Sequence, residues 1–473
     1  MPNLGIHVSE KATAVAIPVV ADVGIPFVVG KAPVHAAASP AKPNVPVLCT
    51  SWDEAVEKLG FSYDWKTYTL CEFMYSHFQL YGCQPVIFCN VFDPNEMSED
   101  VASTEYDVED RKALLPFSMI GPTLKVSGGG TVLTEDEDYT VIYDEDKDAC
   151  ILELLPEGAA YNLSKLTVEG RAVKPDEVIT ADIVSGLGVI DDCMSTVGII
   201  PDLICAPGYS HISTVAAIMA TKAAAITGLF RGKAIIDVDS GADGVTEYSA
   251  LTPWKNKNNM VDENQILCWP MVKIGDYMFH MSTQLAGLMA KVDTLNAGIP
   301  YESPSNKNFK MDCCCLEDGT EVNLTFPQTN IIAGYGIVTA LNFMSMGWTA
   351  RNNYTACYPA NTDVKDQFIP VSRMFDFVGN TLIRTFWAKL DKPMNRRLID
   401  TILDTCNIWL NGLTAQEYLL GGRAEYLEEE NNLLDLMAGI LHIHIYITPP
   451  SPMQECNFVL EYDTNYVQSA LAG

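Results

Sequence analysis

The sequence predicts a multidomain α/β protein with a small inserted β-barrel or sandwich, an α+β C-terminal domain and extended strand arms at both ends. Three observations predict it. Apolar runs of strand length alternate with helical stretches on both sides of residues 93–182, which is the pattern of a parallel sheet. That middle segment differs in texture, with short strands, tight turns and 22 acidic against 7 basic residues. Finally, both ends of the chain alternate apolar and polar residues with the period of two that a half-buried strand requires.

At the N-terminus, Leu4 to Ser9 reads as a short strand carrying Ile6 and Val8. An extended, proline-marked run follows from Val15 to Val20 and carries Val15, Ile17 and Val19. Residues 1–20 are therefore assigned to an arm. The α/β domain is predicted to be discontinuous, over 21–92 and 183–350, because its strands flank the acidic segment. Gln84–Phe92 (QPVIFCNVF) reads as a buried strand after a helix over Leu70–Tyr81. Asp202–Ala206 (DLICA) is a second strand, ending at Pro207-Gly208. Ser210 or Ser213 could cap the Ala-rich helix that runs to Ile226, and Lys233–Val238 (KAIIDV) is a third buried strand.

Within 93–182 the Gly128-Gly129-Gly130 turn and the acidic turns TEDE and DEDKD separate short strands. The net charge of −15 there is half that of the whole chain, so the segment is expected to protrude into solvent. From 351 to 448 the pattern is α+β, with helices over Ser372–Lys389, Arg396–Leu410 and Glu425–Ala438. The chain closes with GILHIHIYITPPSPMQECNFVLEYDTNYV, two strand-like runs broken at Pro449, Pro450 and Pro452. Ile443, Ile445 and Ile447 alternate with His442, His444 and Tyr446 in the first run, and in the second Phe458, Leu460 and Tyr462 alternate with Val459 and Glu461. A strand thrown off by a proline elbow leaves backbone donors and acceptors open. Such an edge suggests strand addition to a neighbour, with residues 449–473 as a second arm. Two open ends suggest a polymer.

Composition narrows the function. With 473 residues, 48% hydrophobic and 19% charged, the chain has the makeup of an ordinary globular protein with large cores. Its 60 acidic and 30 basic residues give a net charge of −30, which argues against nucleic acid as a partner. The opening residues lack a basic leader followed by an apolar run, and no stretch reaches the ~18 apolar residues of a membrane helix. The 14 cysteines are scattered, so reduced and mostly buried thiols are expected.

Catalytic motifs were tested and set aside. No G-x-S-x-G elbow occurs, and Ser240 lies in VDSGADG without the preceding glycine. His211 and Asp237 fall in one domain without a partner serine that spacing identifies. Gly228–Ala234 (GLFRGKA) is one residue short of a P-loop and lacks its Ser or Thr, and Gly334-Tyr335-Gly336 lacks the third glycine of a dinucleotide fingerprint. Cys313-Cys314-Cys315 reads as a buried strand, because adjacent residues point to opposite faces. His442 and His444 share a strand face without a visible third metal ligand. The tryptophans show no platform spacing and read as core or interface anchors. No catalytic residue, metal or cofactor is predicted.

Several stretches, taken in order, resemble the contractile phage tail sheath proteins, the family shared by myophages, phage-like bacteriocins and related injection systems. They are the opening LGIHVSEKATAVAIPVVADVGIPFVVG, the DLICAPG–helix–KAIIDV unit, Gln284–Lys307 (QLAGLMAKVDTLNAGIPYESPSNK) and Asn330–Arg351 (NIIAGYGIVTALNFMSMGWTAR). Ser305 stands where the family usually has alanine, and Trp348 and Arg351 are spaced differently from the family pattern. The resemblance implies a subtilisin-like core without a working catalytic triad and an inserted domain on the outer surface. It also implies arms that add strands to neighbouring subunits, in hexameric rings stacked helically around an inner tail tube. Baseplate and tail terminator proteins would be further partners, and a virion tail or phage-like particle assembled in a bacterial cytoplasm the location. Contraction would drive the tube through the target envelope. Six basic residues, Arg373, Arg384, Lys389, Lys392, Arg396 and Arg397, stand against three acidic ones between 373 and 400. They could face the tube, or form a solvated helix face or an intra-sheath contact. The competing class is a subtilisin-like hydrolase.

Overall fold

The computed structural model describes residues 18–344 and 347–471. The chain enters its core on β1 (Pro26–Gly30), followed by the short β2 (Val47–Cys49) and by β3 (Val86–Asn90). Seven strands come next: β4 (Ser98–Glu109), β5 (Lys112–Pro116), β6 (Lys125–Gly128), β7 (Thr131–Val132), β8 (Tyr139–Asp144), β9 (Ala149–Leu154) and β10 (Lys165–Val173). The core resumes with β11 (Leu203–Cys205), β12 (Lys233–Asp237) and β13 (Gln265–Cys268). A small antiparallel sheet follows, of β14 (Met271–Ile274), β15 (Tyr277–Phe279) and β16 (Cys313–Cys315). Then come β17 (Ile337–Asn342) and β18 (Trp348–Arg351), and last the hairpin of β19 (Gly421–Glu425) and β20 (His444–Thr448).

The main sheet has the order β18-β17-β13-β12-β11-β1-β3-β2. Its six inner strands run parallel, and β2 and β18 cap the edges antiparallel. β1, β3, β11, β12 and β13 are buried along their whole length, as strands covered on both faces must be. Helices 180–188 and 213–224 pack on one face. Helix 281–295 and the stretch 69–81, whose second half (75–81) is π-helical, cover the other. The approach is close at Gly186, where a Cβ would lie 2.5 Å from Val91 and 2.8 Å from Val29. Only glycine fits a helix pressed that near a sheet.

Strands β4 to β10 form an antiparallel sheet of order β7-β6-β10-β4-β5-β9-β8. The long β4 pairs with β10 along Ser98–Asp107 and with β5 at Val108–Glu109, so it passes from one half of the sheet to the other. The two halves close over a core of their own that includes Leu115, Val126, Leu152 and Val168. A bulge between Val168 and Gly170 lets β10 bend. The joint with the main core is aromatic. His35 packs edge-on against Phe117 and Tyr143, and its Nε2 lies 3.0 Å from the Phe117 carbonyl oxygen.

A third cluster joins helices 369–386 and 396–415 to the hairpin β19–β20 and to Ala21 and Val23 near the start of the chain. The helix predicted over Glu425–Ala438 is confined to Leu433–Met437. Glu425 belongs instead to β19, where the ladder with His444 draws it into the hairpin. Asn432 caps the remnant by accepting the Leu434 and Asp435 amides. Ser210 and Ser213 do not cap the helix that begins at Ser213; Ser210 donates its hydroxyl to Asp237, 2.9 Å away.

Candidate functional site

The terminal segments are the first candidate. Ile6, Val8, Val15 and Ile17 lie outside the described residues. Among the described residues Val19 has no strand partner; its amide donates to Thr385 Oγ1 at 2.9 Å and the Ala21 amide to Thr381 Oγ1 at 3.1 Å. Residues 18–22 thus lie along helix 369–386, and Arg384 clamps Asp22 at 2.7 Å. At the other end, Ile445 and Ile447 are on β20 and turn toward the third core, while Ile443 precedes the strand. These isoleucines are therefore hairpin floor, not the side chains of a free strand. Among the described residues β19 is the one strand paired with β20, and the outer backbone edge of β20 is open.

The second terminal run is a correction. Phe458, Leu460 and Tyr462 are in irregular chain, not a strand, and residues 464–471 form a helix. Their side chains are 85%, 96% and 80% exposed. The alternation in the sequence is genuine, but a strand exists by pairing, and among the described residues this backbone joins no ladder.

The basic stretch is corrected in part. Arg373 is buried, with its guanidinium 2.9 Å from Asp202 and 2.5 Å from Asp293, so it faces neither solvent nor a tube. Asp202 also accepts the Ile25 amide at 2.7 Å. One arginine therefore ties the entry to β1, the start of β11, helix 281–295 and helix 369–386. Burial, and then the Asp202 charge, push the Asp293 carboxyl up to about 6 against the pull of Arg373. Lys392, Arg396 and Arg397 are exposed and Lys389 half-buried; Arg396 pairs with Asp400 at 2.9 Å.

Catalytic arrangements fare no better than the motifs did. A cavity of about 500 Å³ opens at the carboxyl ends of β11, β12 and β13, beside the point where strand order reverses between β1 and β11. That is where open α/β sheets bind ligands. It brings together Glu72, His211, Asp237, Asp239, Ser240 and His280. Glu72 accepts from His280 Nδ1 at 2.8 Å. Burial opposes a charge on this ring, but Glu72 overrides it and raises His280 to about 9. The imidazole is thus held charged and cannot act as a general base near neutrality. Ser210 and Ser282 both donate to Asp237, at 2.9 and 2.5 Å. Among the described residues neither serine is bonded to a histidine, which a serine nucleophile requires.

Metal candidates are likewise unsupported: no group of three or more His, Cys, Asp or Glu among the described residues could hold an ion. Cys314 and Cys315 are buried on β16. His444 turns its Nε2 to Glu430. Among the described residues no helix is long and apolar enough to cross a membrane.

No family model matches the chain. A tail sheath protein of Burkholderia phage BcepMu is 25% identical over 419 residues, which is 83% of this chain and 84% of that protein. In sequence and in fold the chain is similar to contractile tail sheath proteins. A chain of the anti-feeding prophage baseplate superimposes with a TM-score of 0.58 at 13% identity, covering 98% of this chain and 100% of that one. The sheath of an extracellular contractile injection system in its contracted state gives 0.57 at 13% identity, over 98% and 99%. A sheath tail protein of Listeria innocua gives 0.53 at 12%, over 91% and 96%. The fold is thus that of a sheath subunit along nearly its whole length. The chain is a structural component of a contractile tail, in a phage or phage-like particle.

The clusters that sequence reasoning missed are Arg373–Asp202–Asp293 and Glu72–His280. A signal for the first was present. Arg373 sits one turn before Phe377 in an apolar helix, and Asp293 interrupts QLAGLMAKVDTL; a charge on an apolar face calls for a buried partner. Glu72 and His280 are 208 residues apart, and nothing in spacing joins them.

Proposed function

We propose that the sheath subunit polymerises by strand addition through residues 1–20 and 449–473, as hexameric rings stacked helically around an inner tube, with baseplate and terminator proteins at the ends. The observation that carries this reading is the exposed apolar chain at Phe458–Tyr462 beside a hairpin with an open edge. In water that chain offers apolar surface and an unpaired backbone at once. A neighbour's sheet edge would satisfy both, through ladder hydrogen bonds and alternate side-chain pockets. Residues 21–92 and 183–350 would form a subtilisin-like core without a working protease site, consistent with the serines spent on Asp237. Residues 93–182 would be a separate domain on the outer surface and 351–448 the arm-bearing domain.

Contraction would let rigid subunits slide and rotate while the arms hold them together. With no nucleotide motif in the sequence, the free energy would be stored at assembly and released as contacts re-form. Lys389, Lys392, Arg396 and Arg397 would give a salt-sensitive contact to the tube, one that can release on firing. Arg384, bound to Asp22, would instead secure the base of the N-terminal arm.

Deleting 449–473 tests the central claim. The truncated subunit should remain folded by circular dichroism and fail to form striated cylinders in negative-stain electron microscopy, alone or with its tube protein. Normal tubes from the truncated chain would refute arm exchange.

A further inference from the structure

The cavity at the carboxyl ends of β11–β13 is not used by the sheath reading, and its walls are not those of an ordinary core void. One wall is aromatic. Tyr277 stacks on Tyr63 with centroids 5.2 Å apart, and Trp65 lies 4.9 Å from the same ring. Tyr277 is 36% exposed, so the wall is open to an entering group. Across the opening, two carboxylates converge. A carbon built on Gly241 would lie 2.7 Å from Glu317 Oε2 and 3.2 Å from Asp239 Oδ1. Among the described residues Glu317 forms one salt bridge, to the exposed Lys66 at 3.5 Å, and its charge also acts on the His280 ring.

The acidic turn after β8 lies close enough to Tyr63, on the cavity wall, for its charges to act there. Asp146 and Glu145, after burial and Tyr277, help raise the Tyr63 phenol, and Asp64 raises the Asp148 carboxyl on top of its burial. Negative charge therefore comes from both the core and the inserted sheet. Donors are unmet as well. Trp65 Nε1 is buried without a partner, and with Nδ1 taken by Glu72, the other ring nitrogen of His280 is left for a ligand. Carboxylates with an aromatic face select an organic cation; the unmet donors call for an acceptor beside it. The residues do not form a metal cage.

We propose that this cavity binds a basic peptide segment. An arginine or lysine head would lie between Glu317, Asp239 and the Tyr277 face, with a backbone carbonyl near His280 and Trp65. The residues that line the cavity belong to neither arm, so the site is tested independently of polymerisation.

Calorimetry on the full chain tests it with N-acetyl-arginine amide, its neutral isostere N-acetyl-citrulline amide, and spermidine. The arginine compound should bind at least about ten-fold more tightly than citrulline, the ratio expected when a charged group loses its partner. Glu317→Gln should weaken it by a similar factor. Lys66→Ala should strengthen it about two- to five-fold, because an exposed competing ammonium is removed; a misfolded variant would not gain affinity. Equal binding of citrulline, or insensitivity to Glu317→Gln, would overturn the site. Spermidine binding as tightly as the arginine compound would overturn the peptide assignment in favour of a free polyamine.

Discussion

Replacing Arg373 by methionine removes the one cation between Asp202 and Asp293 while keeping the aliphatic bulk. The consequences follow from burial. Asp293 is 1% exposed at its side chain and Asp202 11%, so neither carboxylate can recover its hydration when the guanidinium is lost. Breaking a buried pair in this way costs about 3–5 kcal/mol. The cost should depend on pH, in a definite direction. Asp293 has a folded-state value of about 6, above its ordinary 3.8. Between those values the folded protein binds a proton that the unfolded chain does not, so acid favours the folded state at this position. Without Arg373 the carboxyl is shifted further upward, and the destabilisation of R373M should shrink as pH falls from 7.5 to 5.5. Urea unfolding followed by circular dichroism at the two pH values measures this. Adding Asp293→Asn to R373M should restore much of the loss at pH 7.5, because a neutral amide costs less to bury. An R373M subunit within 1 kcal/mol of wild type, or a loss that does not change with pH, would refute the assignment of this cluster as the joint between the core and the C-terminal helices.

The other predictions concern a second buried titration and the tube contact. His77 stacks on Phe73 at 5.2 Å with both ring nitrogens unpartnered, and burial lowers it to about 3. The unfolded chain takes up a proton below pH 6.5 that folded His77 refuses, so stability should fall from pH 6.5 to 4.5 by about 2 kcal/mol from this group. His77→Phe should be more stable at pH 7 and lack that share of the acid slope; an unchanged slope in paired urea titrations would show that His77 is not held neutral. Lys392→Glu with Arg396→Glu should change the melting of the isolated subunit little, since both side chains are exposed and the Arg396–Asp400 pair is a surface one. It should weaken assembly on the tube protein, most visibly at low salt; sedimentation showing equal assembly at every salt concentration would remove the stretch from the tube interface.

How much of this was legible depended on where each residue's partners lie. Buried strands such as Ile204–Cys205 on β11 and Ala234–Ile236 on β12 were readable because an apolar run between helices has few other uses, and the structure buries them fully. Arg373 was misread because charge was counted along the sequence. Read around the helix, positions 373, 377, 381 and 384 share a face, the one that buries Phe377 and Thr381 and carries Arg384 to Asp22. Removing Arg373 and Arg384 from the positive excess leaves its exposed part around residues 389–397, a smaller and better-defined patch. The loss of the Glu425–Ala438 helix has a different cause. Local propensity there competes with a ladder between Glu425 and His444, two segments separated by the whole loop, and pairing won. Phe458 and Leu460 mark the limit of both kinds of reading. Their alternation belongs to a strand, yet among the described residues they enter no sheet and their side chains are exposed. A pattern that the lone fold does not use, retained at nearly full exposure, is best accounted for by a second copy of the chain. The mismatch between sequence and single-chain structure is therefore itself an argument for assembly.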